Sequence, residues 1–218
     1  MNTPIFCLSY NNPTRATRMR NRFKSLGIED VAFSPGVRDD TSTANSVMLG
    51  HMDMLHRFCE RDDDAEYGVF CEDDIYIHKD LKEHLPVMVQ ECKIQSIDIL
   101  LLGYLFGQNA SCIQNPGYID VPFLHKGEHC DYFGFPDQIW GGQMYMLSKK
   151  KAREFLEKGP HNYHEIPYAV DWVLTKLGNR ALTVPMYAVE DGTKQYEHDG
   201  QRGLHWETFH KNISEQYI

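Results

Sequence analysis

The chain has 218 residues, of which 42% are hydrophobic and 24% charged, with a formal net charge of -9. That length and apolar content suit one sizeable domain with its own core, and the negative balance argues against a nucleic-acid backbone as partner for the surface as a whole. No apolar run approaches the roughly 18 residues of a membrane span, and the opening MNTPIFCLSYNN lacks the charged start and long apolar core of a signal peptide, so a soluble, cytoplasmic protein is expected.

The run PIFCLSY reads as a β-strand closed by NNP. TRATRMRNRFKSLG reads as a helix with Thr14 as N-cap, Ala16, Met19, Phe23 and Leu26 on one face and Gly27 as its stop. VAFSPG suits a second strand, and TANSVMLGHMDMLHRFCE a second helix, with Val47, Met48, Met52, Leu55 and Phe58 forming a broad apolar face. After the acidic spacer RDDD, the strand EYGVFC runs into three consecutive carboxylates, Glu72, Asp73 and Asp74, and the apolar run IYI resumes at once. A helix begins near Asp80, where DLKE has the form of a capping box.

SIDILLLGYLF reads as a further buried strand. QMYMLS leads into the helix SKKKAREFLEKG, with Ser148 as cap and Gly159 as stop. HEIPYAVDWVLTKLG reads as helix and ALTVPMYA as strand, and an aromatic, charged tail follows from Val189. Organisation is weakest between Gly107 and Asp137, where Gly, Pro, Asn and aromatics gather without periodicity. Strands alternating with helices predict an α/β domain with a mainly parallel sheet and helices on both faces. The six cysteines form no C-x-x-C pair and read as reduced structural thiols, and the N-x-[ST] matches at Asn109 and Asn212 as coincidental.

Ligands of an open parallel sheet gather at the carboxyl ends of its strands, where Glu72-Asp73-Asp74 falls. Crowded carboxylates repel unless solvated or met by a cation, and oxygen donors suit Mg²⁺ or Mn²⁺. In extended backbone, Glu72 and Asp74 would address one side and Asp73 the other. A solvated turn is the plain alternative, and it is the expected state of Asp62-Asp63-Asp64 at the opposite edge of the sheet. Arg15, Arg18 and Arg22 share one helical stripe; Arg15 sits where an anion or base could meet it, whereas Arg22 reads as part of a solvated basic face. Val37 and Arg38 follow the second strand at its carboxyl end, where ligands of such a sheet gather. His51 reads either as a core histidine or as part of the site. Trp140 offers a flat apolar face or is simply core, Gly141 and Gly142 allow close backbone approach, and Asp171 is a lone carboxylate in an apolar helix.

The segments IFCLSYNNPTRATRMRNRFKSLGI, SVMLGHMDML, VFCEDDIYIHKDL and WGGQMYMLSKKKAREFL, in that order, resemble the family 25 glycosyltransferases, with a weaker match at YAVDWVL. A further likeness is to enzymes of large algal DNA viruses that glycosylate their own capsid proteins. The resemblance implies one GT-A domain over residues 1–218, with a nucleotide-sugar and metal half at 1–106 and an acceptor half with the tail at 107–218. It implies a nucleotide-diphospho sugar donor, expected as a UDP-sugar, a Mn²⁺ or Mg²⁺ ion, and a glycan or glycoprotein acceptor, in the host cytoplasm for a viral enzyme.

The resemblance also carries roles. Glu72-Asp73-Asp74 takes the place of the D-x-D motif, with Asp74 as the favoured metal ligand, Glu72 as a second candidate, and Glu72 or Asp73 nearer the sugar or ribose; the leading Glu departs from the motif and leaves open which acids touch the metal directly and which through water. Leu8, Ser9, Tyr10, Asn12, Arg15, Val37, Arg38, His51, Glu72 and Asp73 stand around the donor, Asp171 and Asp73 are the catalytic candidates, and Asp137, Trp140, Gly141 and Gly142 face the acceptor. GT-A enzymes often complete the metal shell from a late loop; His198 is the first candidate there, ahead of His205 and His210. An inverting enzyme would use a carboxylate as base and a retaining one would use it to stabilise an oxocarbenium-like state, and the sequence leaves both open. The competing readings are a metal-dependent nucleotidyltransferase or phosphohydrolase, disfavoured by the lack of a Walker-type loop, and a non-catalytic, Ca²⁺-dependent glycan-binding module.

Overall fold

Alternation of apolar side chains along the strands fixes two faces for one sheet, and the helices divide between them. The computed structural model of the chain describes residues 3–40, 42–106, 121–137, 139–158, 170–171, 173–191 and 213–218. In chain order its elements are β1 (Ile5–Leu8), α1 (Pro13–Ser25), β2 (Val31–Ser34), α2 (Thr43–Cys59), β3 (Tyr67–Glu72), β4 (Ile75–Ile77), α3 (Leu81–Ile94) and β5 (Ile99–Phe106). Then come β6 (Phe123–Lys126), β7 (Asp131–Phe133), β8 (Ile139–Ser148), α4 (Lys149–Lys158), a 3₁₀ turn at Leu174–Lys176, β9 (Arg180–Val184), β10 (Ala188–Glu190) and one helical turn at Ile213–Gln216.

The eight-stranded sheet has the order β2-β1-β3-β8-β5-β9-β7-β6, and β10 pairs with β4 in a separate ribbon. Pairing is parallel for β1 with β2 and β3 and for β5 with β9; it is antiparallel for β8 with β3 and β5, and for β7 with β6 and β9. Six strands therefore share a direction, as the alternation of strands and helices predicts, and only β8 and β7 oppose it. The sheet is mixed because β8 inserts between two strands that precede it in the chain. Cys7, Val69 and Cys71 pack on one face with Met19 and Phe23 of α1 and with Leu85, Met88 and Cys92 of α3. Phe6, Leu8 and Phe70 pack on the other with Met48, Met54, Leu55 and Phe58 of α2 and with Ala152 and Phe155 of α4. Among the described residues no helix is long and apolar enough to cross a membrane, and Cys7, Cys59, Cys71, Cys92 and Cys130 are free thiols.

Several expectations change. Asn12, not Thr14, caps α1: its side chain accepts from the Arg15 amide at 3.0 Å, and Pro13 opens the helix where its missing N–H does no harm. Asp80 makes no side-chain cap; its own amide donates to His78 Nδ1 at 3.2 Å instead. Val170 and Asp171 lie in a turn, and Leu174–Lys176 is a 3₁₀ turn where an α-helix was expected. ALTVPMYA divides between β9 and β10, which belong to different sheets. The hairpin of β6 and β7 arises in the stretch without periodicity, while 107–120 and the N-x-[ST] match within it lie outside the described residues.

The largest correction is Arg22. Instead of facing solvent it is buried, donates to the Ile75 carbonyl at 2.6 Å and stacks over the Tyr76 ring at 4.1 Å. It reaches Asp191 at 3.3 Å, where Arg18 also arrives at 2.9 Å, and the Asp191 side chain is only 1% exposed. The cause is the β4–β10 ribbon, which brings Asp191 beneath α1, where a buried carboxylate requires a cation. Asp191→Ala would strand the Arg22 charge and is expected to lower stability in urea unfolding by about 3–5 kcal/mol. The double variant Arg22→Met, Asp191→Leu should recover most of that loss.

Candidate active site

β1 and β3 lie side by side in parallel with Leu8 opposite Glu72, so the residues that follow both strands emerge together at one end of the sheet. Strand parity continues briefly past β3. Glu72 stays on the face of Phe70, toward α2, and Asp73 on the face of Cys71, toward α1. A bend at Asp73–Asp74 then breaks parity, so Asp74 joins Asp73 against α1 rather than sharing a side with Glu72.

Asp73 is 6% exposed, with Oδ2 accepting from Ser9 Oγ at 2.6 Å and Oδ1 lying 3.1 Å from Arg15 Nε. Burial pushes its carboxyl up, and the Ser9 hydrogen bond and the Arg15 charge oppose that. Both Asp73 oxygens are engaged, one by Ser9 and one by Arg15. Arg15 Nη2 pairs with Asp74 Oδ2, so one guanidinium bridges two carboxylates. In this structure Arg15 is held in an ion pair with both carboxylates, and Asn12 caps the helix that places it.

Glu72 belongs to a second group. His51 is fully buried; its Nδ1 lies 2.8 Å from Tyr145 Oη and its Nε2 lies 3.7 Å from Glu72 Oε1. The Gly142 amide donates to Asp171 Oδ1 at 2.7 Å. A Cβ at Gly142 would lie 3.3 Å from that oxygen and 3.5 Å from Glu72 Oε1, so both carboxylates converge on a position where only hydrogen is present. Gly141 serves the sheet instead: a Cβ there would come within 2.8 Å of the Gly103 carbonyl oxygen. Trp140 is half-buried at the start of β8, and Asp137 is exposed and paired with Arg180 at 2.7 Å.

Beside the end of β1 is a cavity of about 480 Å³ lined by Leu8, Tyr10, Asn11, Arg38, Ser42 and Val47. Arg38 also pairs with Asp40 at 2.6 Å, and Val37 is exposed outside the lining. A larger groove of about 1310 Å³ occupies the opposite end of the sheet, where Asp62-Asp63-Asp64 lies and Arg61 pairs with Asp63 at 2.6 Å. His198, His205, His210 and Trp172 lie outside the described residues. The sequence reading missed Asp191, Arg18, Arg22 and Tyr145. The arginine stripe was visible; its partner acid, 169 residues from Arg22, was not.

Among the described residues no group of three or more His, Cys, Asp or Glu side chains is gathered to hold a metal ion. The donor chemistry nevertheless fits Mg²⁺ or Mn²⁺, which take one or two carboxylates together with substrate phosphates, and Asp74 supplies such an oxygen at the strand end.

Burial lowers the His51 pKa to about 4, opposed by the charge of Asp171. In the unfolded chain the imidazole takes a proton below about 6.5, so its contribution to stability is complete above that pH and is lost as pH falls toward 4. Urea unfolding between pH 7 and pH 4 should show a fall of which about 3 kcal/mol is absent in His51→Leu.

No protein-family model matches the chain, and no curated protein matches it by sequence. The family 25 resemblance therefore rests on the quoted segments alone. Among solved structures, a glycosyltransferase involved in the glycosylation of the major capsid of PBCV-1 superimposes with a TM-score of 0.54 at 8% identity, covering 95% of this chain and 98% of that one. A mannose-1-phosphate geranyltransferase from Thermus thermophilus matches with a TM-score of 0.37 at 10% identity over 83% and 73% of the two chains, too distant a likeness to inform the fold. The described residues thus form an α/β fold, a mixed eight-stranded sheet flanked by four longer helices, that resembles a GT-A glycosyltransferase.

Proposed function

We propose that the protein is a glycosyltransferase that moves a sugar from a UDP-sugar, or a related nucleotide-diphospho donor, to a glycan or glycoprotein acceptor. The observation that carries this reading is the convergence of Glu72, Asp73, Asp74 and Asp171 at the joint ends of β1 and β3, in a fold resembling a GT-A glycosyltransferase. The cavity between Tyr10 and Arg38 would take the nucleoside. Asp74, with His198 as a candidate partner, would hold a Mn²⁺ or Mg²⁺ ion, which would neutralise charge on the departing diphosphate.

Glu72 and Asp171 are assigned to the sugar side, because they meet at Gly142 rather than at Arg15. In the transfer, the acceptor hydroxyl oxygen bonds to the anomeric carbon, the bond from that carbon to the diphosphate oxygen breaks, and the proton passes to a carboxylate. Asp171 is the candidate for that base, held by the Gly142 amide in one orientation. Trp140, Gly142 and Asp137 would border the acceptor.

UDP is expected to bind in calorimetry with Mn²⁺ present and to be released by chelator, and UDP-sugars to be slowly hydrolysed without acceptor. Asp74→Asn should lower that hydrolysis at least 100-fold. Activity within about threefold of the unsubstituted protein at saturating Mn²⁺ would overturn its role. Asp171→Asn should lower turnover by a similar factor while UDP binding stays unchanged; joint loss of both would move Asp171 to the donor shell. Glycan binding with no hydrolysis of any nucleotide sugar would instead identify a binding module.

A further inference from the structure

Among the described residues, His51 is a buried side chain beside the acids whose Nε2 is inaccessible and has no hydrogen-bond partner, with Glu72 Oε1 3.7 Å away. An ordinary core histidine has both ring nitrogens satisfied. The ring is pinned from the other side, since Nδ1 meets Tyr145 Oη at 2.8 Å and the two rings stack with centroids 5.6 Å apart. The preceding Gly50 packs closely on β1: a Cβ there would come within 2.5 Å of the end of the Leu8 side chain.

We infer that His51 is a positioning residue for the proposed transfer: a neutral imidazole with its proton on Nε2, oriented by Tyr145, that directs the Glu72 carboxylate toward the substrate position beside Asp171. The inference rests on assigning Glu72 to the sugar side of the site. The tautomer follows from electrostatics. With the proton on Nδ1, the Nε2 lone pair would point at a carboxylate, which is repulsive; with the Tyr145 hydroxyl donating to Nδ1, Nε2–H points at an acceptor. Burial keeps the imidazole neutral and the Tyr145 phenol protonated, so the phenol remains a donor.

The 3.7 Å separation is about 1 Å longer than a charge-assisted N–H···O⁻ bond. Of the two groups only Glu72, whose side chain is 32% exposed, has room to close that gap. Oε1 of Glu72 is the oxygen nearest both His51 and Gly142, so accepting from His51 fixes that oxygen beside Gly142 and the proposed sugar position. The chain Tyr145–His51–Glu72 thus carries a fixed orientation from the middle of β8 to the edge of the site.

The first test does not depend on activity. Nitrogen NMR of the full chain with labelled histidine is expected to show His51 as the Nε2–H tautomer, shifted at Nε2 by Glu72→Gln and losing its tautomer preference in Tyr145→Phe. An Nδ1–H tautomer, or an Nε2 resonance indifferent to Glu72→Gln, would overturn the inference. The second test uses UDP-sugar hydrolysis. His51→Leu should lower kcat about 10–100-fold, with UDP affinity within twofold of the unsubstituted protein, and His51→Gln, whose amide can reach Glu72, should regain part of the loss.

The double variant His51→Leu, Glu72→Gln should be no slower than Glu72→Gln alone; additive losses would mean that His51 does not act through Glu72. Thermal unfolding of each variant separates folding defects, and Tyr145→Phe with His51→Gln carries the test if His51→Leu does not fold. Absence of hydrolysis in the unsubstituted protein would remove the transferase reading, while the NMR arm still decides whether His51 orients Glu72.

Discussion

Carboxylates crowded at one strand end repel, and their compensation organises this end of the molecule. Arg15 bridges Asp73 and Asp74, Arg18 and Arg22 converge on Asp191, and the Asp191 amide donates to the Asp74 carbonyl at 2.5 Å, tying the two clusters together. All three arginines come from α1, so this helix is at once the apolar cover of one sheet face, through Met19 and Phe23, and the counter-charge for the acids. Glu72 stands apart from that arrangement by strand parity. It faces α2, where its neighbours are an uncharged imidazole and a second carboxylate. The acidic triplet is therefore split into a pair bridged by one guanidinium and an acid set against a neutral ring, an asymmetry that suits separate roles toward donor and sugar.

Local pattern was legible wherever it was sufficient. Continuous apolar runs gave β1, β3 and β5, and helical periodicity with caps and stops gave α1, α2 and α4 to within a few residues, because those patterns are what buries each element against the sheet. What escaped was decided by pairing across long sequence separations. The insertion of β8 between β3 and β5, the splitting of β9 from β10 and the addition of the β6–β7 hairpin all depend on pairing with strands far away in the sequence or across sheets. The acidic capping box at Asp80 misled because His78 already accepted the amide it would have served.

The site was half legible for the same reason. Three acids after an apolar strand mark a strand end, and Ser9, Arg15 and Asp73 do meet there. The spacing of Arg15, Arg18 and Arg22 identified a stripe but not what it faces, since the acid that buries Arg22 is supplied from the end of β10. Tyr145 carried no signal at all: one hydroxyl within an apolar strand looks like packing until α2 places an imidazole against it.

β8 runs against its neighbours, and that reversal decides where the chain can diversify. A parallel strand delivers its end to the ligand side, whereas an antiparallel one delivers its beginning, so Gly142 stands near the ends of β1 and β3 while Ser148 and α4 lie at the far side with the 1310 Å³ groove. Lengthening or recoding the chain just before β8 remodels the rim of the site without disturbing the β1–β3 floor. Material added around α4 stays remote from it. A lineage with this topology can thus exchange one partner molecule for another by editing a single strand entrance, and fusion domains are best accommodated on the opposite side.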